Sequence, residues 1–285
     1  MIVAVCSLSG APGVSTLAAA LTACWPAAPL TVPVLVEADA SGGDFAVWHN
    51  TRAERGLLSL AAASRRTAAD ADGGDNPLLR HAVEVSGGLH VITAPSAPHA
   101  VTGAVRLLAE RRGCLARGPL TVVDVGRVLP GSAGARLLMQ ADAVVVVLCG
   151  DDVAQVKRVV ECAAVFTALE QRGCSVGLAV RGRRFSDDEF AEATAPPIWA
   201  RIPDDPGGAA VIRGEEARWA SWWGRAGAWL RYRRDPETIG GHPLMRAARA
   251  LAEHLDDMAP SAVSHPASAA VPSRTHGPDA LGAVA

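Results

Sequence analysis

Hydrophobic positions along the chain fall into two alternating patterns. Short, nearly continuous runs rich in Val, Ile and Leu occupy Ile2–Ser7, Val32–Val36, Leu89–Thr93, Leu120–Val125, Ala143–Leu148, Val176–Val180 and Ile198–Ile202. Runs of this kind predict strands buried on both faces. Between them, the residue pattern predicts helices over Ser15–Cys24, Leu57–Arg66, Gly103–Arg112, Ala133–Met139, Ala154–Gln171 and Asp187–Thr194. A closing helix is predicted in HPLMRAARALAEHL, His242 to Leu255, ended by Asp256-Asp257 and Pro260. Strands alternating with helices imply an α/β fold, a three-layer doubly wound sheet that is mostly parallel. Ligands of such sheets bind at the carboxyl ends of the strands.

The pattern stops before the chain does. Residues 1–258 are expected to form one domain, and 259–285 an Ala/Ser/Pro-rich disordered tail without apolar period. A second irregular stretch, TAADADGGDN (Thr67–Asn76), reads as an acidic loop. With 285 residues, 49% of them hydrophobic and 20% charged, a large core is within reach. A net charge of −2 supplies no basic field, so direct nucleic-acid binding is not expected. Six scattered cysteines lack metal-ligand spacing and read as reduced thiols of a cytoplasmic protein. Neither a signal peptide nor a membrane-spanning run is expected.

The chemistry begins at the first turn. After Ile2–Ser7 the chain reads SGAPGVSTLAAAL, Ser9 to Leu21: two spaced glycines, a Ser-Thr pair, then a helix. Strand, Gly-rich turn, hydroxyl and helix N-terminus are the parts of a phosphate-binding loop. Nucleotide contacts are expected at Gly10, Ala11, Pro12, Gly13, Val14, Ser15 and Thr16. The second strand ends in acids, VLVEAD to Asp39, as does TVVD at Asp124. Acids there orient a water or a Mg²⁺-bound water, or they cap neighbouring helices or sit in solvent. Ser15, Asp39 and Asp124 are the expected Mg²⁺ residues, direct or through water, and Asp39 the expected catalytic acid.

The loop, VLVEAD, TVVDVG and ADAVVVVLCGDD, in this order, resemble the MinD/ParA group of deviant-Walker P-loop ATPases. The likeness runs from about Met1 to Leu255, and IWARIPDDPGGAAVIRGEEA resembles the group's last strand and following helix. EADASGGDFAVWHN (Glu37–Asn50) and GGLHVITAPSAP (Gly87–Pro98) resemble the TadZ/CpaE branch, proteins of Flp pilus assembly and septum-site relatives. The resemblance implies ATP or ADP with Mg²⁺ as cofactor and a homodimer. It also implies protein partners in a secretion, pilus, septum or partition assembly, with membrane association at most peripheral.

The departures qualify those expectations. The group's loop, KGGxGKTT, falls on Ser9–Thr16, so Ser9 stands where its cross-dimer lysine would be and Val14 replaces the P-loop lysine. Arginine replaces neither, and the chain's one lysine is Lys157. Pro12 removes a backbone N–H from the loop. A charged hydrogen bond contributes about 1.5–3 kcal/mol, so ATP binding is expected to be weaker by about tenfold or more, with hydrolysis slow or absent. Three readings follow: a non-hydrolysing scaffold, an active ATPase cycling between monomer and dimer, or a nucleotide-free interaction protein. Arg127 reads as a substitute cation or a surface residue. Trp48 and His49 read as packing, partner or nucleotide residues.

RGEEARWASWWGRAGAWLRYRR (Arg213–Arg234) places Trp219, Trp222, Trp223 and Trp229 at helical spacing among arginines. It reads as a core helix, a partner face or an interfacial membrane helix.

Overall fold

A computed structural model describes residues 1–10, 12–26, 32–51, 55–65, 76–85, 87–111, 113–215 and 241–259. Ala11, the Trp/Arg stretch from 216 onward, most of the acidic loop and the tail from 260 lie outside the described residues.

The Val-rich runs form one eight-stranded sheet. Its strands are β1 (Ile2–Ser7), β2 (Val34–Glu37), β3 (Val83–Val85), β4 (Leu89–Ile92), β5 (Thr121–Arg127), β6 (Ala143–Cys149), β7 (Ser175–Arg181) and β8 (Ile198–Ile202). Their order is β3-β4-β2-β5-β1-β6-β7-β8. All neighbours pair in parallel except β3, an antiparallel edge strand on β4. The sequence pattern misses β3, because three residues with an exposed Glu84 in the middle carry too short an apolar signal.

Alternate residues of each strand feed two cores. Val3, Val5 and Leu35 face α1 (Val14–Ala23), while Ile2, Ala4, Val34 and Val36 face the opposite layer. Helix α1 is buried on nearly all sides, from Val14 to Thr22, because it lies between sheet and closing helix. Its small residues Ala18, Ala19 and Ala20 permit that close double packing.

The remaining α-helices among the described residues are α2 (Phe45–Trp48), α3 (Leu57–Ala63), α4 (Pro98–Glu110), α5 (Ala133–Leu138), α6 (Val153–Glu161), α7 (Ala163–Glu170), α8 (Asp187–Ala193), α9 (Pro206–Ile212) and α10 (Pro243–Met258). The helix expected over Ala154–Gln171 is divided. At Cys162 one N–H is shared between the carbonyls of Arg158 and Val159, both at 3.1 Å. That tightened turn separates α6 from α7 without a Gly or Pro to announce it. Helix α4 starts at Pro98, five residues before the apolar period suggests, since Pro suits a first helical position.

Candidate nucleotide site

Strand order decides which acids meet. β5 lies between β1 and β2, and register pairs Asp124 with both Val5 and Glu37. The carboxyl ends of these three strands open beside the N-terminus of α1.

The turn from β1 into α1 uses two left-handed glycines, Gly10 at φ 61° and Gly13 at φ 94°, a region that side-chain-bearing residues rarely adopt. Gly13 is the N-cap of α1. It has no side chain to satisfy the first-turn N–H groups, and no acidic residue occupies that turn. These amides and the positive end of the helix dipole are suited to receive an anion.

Ser15 follows one residue into the helix. Its hydroxyl lies near Asp124 and favours the ionised carboxylate, and Asp124 Oδ1 accepts from the N–H of Gly126 at 3.0 Å. Asp124 is buried, and its pKa is pushed up to about 7 by burial, then by the charges of Glu37 and Asp39. Asp39 is half-buried, with Oδ1 accepting from the N–H and hydroxyl of Ser41 at 2.8 and 2.7 Å. Its carboxylate covers Gly126 so closely that a Cβ there would overlap it. Ser15, Asp39 and Asp124 thus converge, as the sequence suggests. A hydroxyl beside a carboxylate destabilised by burial and like charge is a set of hard oxygen donors of the kind that would hold a divalent cation.

Glu37 has a different task. Its Oε1 accepts from the N–H groups of Asp44 (2.6 Å) and Phe45 (3.0 Å), and its Oε2 from Ala94 (2.8 Å). The N–H of Gly43 also donates to the carbonyl of Pro95 at 3.0 Å. The two short motifs, Gly43-Asp44 and Ala94-Pro95, are therefore joined through a buried carboxylate. Burial pushes the pKa of Glu37 upward against the opposing pull of those bonds.

The two lysine positions carry no positive charge. Ser9 is buried. Val14, 6% exposed, belongs to the α1-side core with Val3, Val5, Leu17 and Leu21. Pro12 is buried, and its carbonyl accepts from Arg181 Nη1 at 3.3 Å. Arg127 is exposed at the end of β5. Trp48 and His49 pack against Phe45, with ring centroids 4.9 and 6.0 Å away.

A cavity of about 230 Å³ adjoins the loop. Pro12, Gly13 and Thr16 form one side of it, and Arg181, Asp204 and Arg213 bring charge to it. Sequence reasoning missed Arg181, Asp204 and Gln155. The last sits on α6, receives the N–H of Cys149 at 2.9 Å, and lies beside Gly10. One signal was available for Arg181: it is a charged residue at the carboxyl end of a buried strand.

No protein-family model and no curated protein sequence matches the chain. Solved structures do. The ParA family ATPase from Chlorobium tepidum TLS superimposes with a TM-score of 0.64 at 17% identity, over 89% of this chain and 98% of that one. The septum site-determining protein MinD from Pyrococcus horikoshii OT3, complexed with Mg-ADP, gives 0.62 at 16%, over 90% and 96%. The chain has the ParA/MinD ATPase fold. The MinC:MinD cell division complex of Aquifex aeolicus gives 0.54 at 13%, over 90% and 95%. Among the described residues of this ParA/MinD-fold chain, no helix is long and apolar enough to cross a membrane.

Proposed function

We propose that this ParA/MinD-fold protein is a nucleotide-responsive scaffold: it binds ATP or ADP with Mg²⁺ weakly, hydrolyses ATP slowly or not at all, and positions a protein assembly. One contrast carries the reading. The anion-binding turn, the Ser15–Asp124 pair and Asp39 are in place, whereas the lysine positions are a buried serine and a core valine. Amides and a helix dipole support ground-state binding. Charge developing on a transferring phosphoryl group needs a cation as well.

The assembly is proposed to be of the pilus, secretion, septum or partition kind, reached through a protein partner at the inner face of the membrane. The MinD neighbour solved with MinC supports the class of partner. The TadZ/CpaE branch rests on the Gly43-Asp44 and Ala94-Pro95 motifs that Glu37 joins. The partner surface proposed on Trp219, Trp222, Trp223 and Trp229 rests on their spacing alone. Without the cross-dimer lysine, self-association is expected to be weak or independent of nucleotide; ATP-dependent dimerisation in sedimentation would contradict this.

Calorimetric titration with Mg-ATP and Mg-ADP, alongside phosphate release, tests the proposal. Binding without turnover is the expected result, and no heat up to millimolar ligand would overturn it. A second reading, an active ATPase, draws on the retained Asp39 and Asp124 and requires turnover that Asp39→Ala abolishes.

A further inference from the structure

We propose that Arg181 is a phosphate-binding residue, its guanidinium supplying from β7 the positive charge that the loop lacks at Ser9 and Val14. The proposal deepens the nucleotide reading above and rests on it. Arg181 already touches the loop: Nη1 donates to the Pro12 carbonyl at 3.3 Å. Nη2 donates to Asp204 Oδ1 at 3.1 Å on the β8–α9 turn. Both partners and Arg181 itself line the cavity beside Gly13 and Thr16, where the first turn of α1 presents its uncapped amides.

Those present partners hold the guanidinium loosely. The Asp204 side chain is 84% exposed and that of Arg181 36%, and an exposed ion pair of this kind adds little. A carbonyl is a neutral acceptor, whereas a phosphate oxygen offers Arg a charge-assisted and frequently bidentate bond. Among the described residues, neighbouring arginines are engaged elsewhere. Arg213 is paired with Glu215. Arg201 is paired with Asp187 and bonds the carbonyls of Gly182 and Phe185. On nucleotide entry Arg181 exchanges Asp204 for the polyphosphate without leaving the loop edge.

The test uses the full-length protein and a fluorescent ADP with Mg²⁺, titrated at low and high salt. Arg181→Met is expected to weaken binding by about tenfold or more and to flatten its salt dependence, and Arg181→Lys to recover part of the loss. Asp204→Asn discriminates further. Removing the competing carboxylate frees the guanidinium, so binding is expected to tighten several-fold, an effect a purely structural ion pair does not give. Unchanged affinity in Arg181→Met, or weaker binding in Asp204→Asn, overturns the proposal while leaving nucleotide binding intact. A wild-type protein that binds no nucleotide at millimolar concentration overturns both.

Discussion

The carboxylate of Asp39, two residues beyond β2, lies directly on Gly126 of β5, and Gly126 adopts φ +62° beneath it. Close approach and left-handed backbone coincide at one residue, so glycine is required there twice over. Gly126→Ala is expected to destabilise the protein by about 2 kcal/mol or more, from backbone strain plus overlap with the carboxylate. Asp39→Gly in the same chain should return part of that loss by removing the overlap. Denaturant unfolding of the four species in a double-mutant cycle measures it; additive costs would contradict the contact.

Asp124 sets a pH dependence whose sign follows from its pKa of about 7. Between the ordinary carboxylate range and 7, the folded chain holds a proton that the unfolded chain has released. Its contribution to stability is therefore full at low pH and lost as pH rises through that window. Asp124→Asn removes the effect, and at pH 8 the variant should be more stable than the parent by roughly 1–3 kcal/mol. The variant should also lose any stabilisation that Mg²⁺ adds in the presence of nucleotide. Thermal melts across pH, with and without Mg-ADP, check both outcomes.

Val14 has joined the core, so restoring lysine there is not a simple reversion. Val14→Lys exchanges packed apolar surface for an ammonium that must reach the phosphate site or stay desolvated. The apo protein is expected to lose about 1–3 kcal/mol. Added Mg-ATP should stabilise this variant more than the parent, because the new cation has a partner only when phosphate is bound. Equal ligand-induced shifts in melting temperature would argue against a phosphate site at this turn.

Glu37 presents carboxylate oxygen to three backbone N–H groups. In Glu37→Gln one acceptor becomes an amide that faces an N–H, and the cost is expected to be about 2–4 kcal/mol. The segment around Asp44–Phe45 should become the first site of limited proteolysis. A variant as stable as the parent would show that the carboxylate is not what joins the two motifs.

Much of this was readable without coordinates. Continuous Val/Ile/Leu runs announce strands buried on both faces, and seven of the eight strands lie within two residues of the positions those runs predict. Gly10, Gly13 and Ser15 mark the anion-binding turn, since glycine spacing and hydroxyl position are local properties. Asp39 and Asp124 were expected near neighbouring strand ends; β2 and β5 are adjacent in the sheet, and β5 runs on past Asp124 to Arg127. Less was legible in the acids themselves. Nothing local separates Glu37, which joins two loops through backbone N–H groups, from Asp39, which leans over Gly126.

Chain pattern alone determined the α/β alternation, the phosphate-type turn and the absence of lysine from it, because each is written in consecutive residues. Tertiary structure decided the rest. It buried Val14 in the core, drew Arg181 from a strand 169 residues away onto the Pro12 carbonyl, and raised the pKa of Asp124 by burying it and crowding it with two other acids. Burial, close approach and like-charge crowding depend on which distant segments become neighbours, and that is a property of the packed sheet.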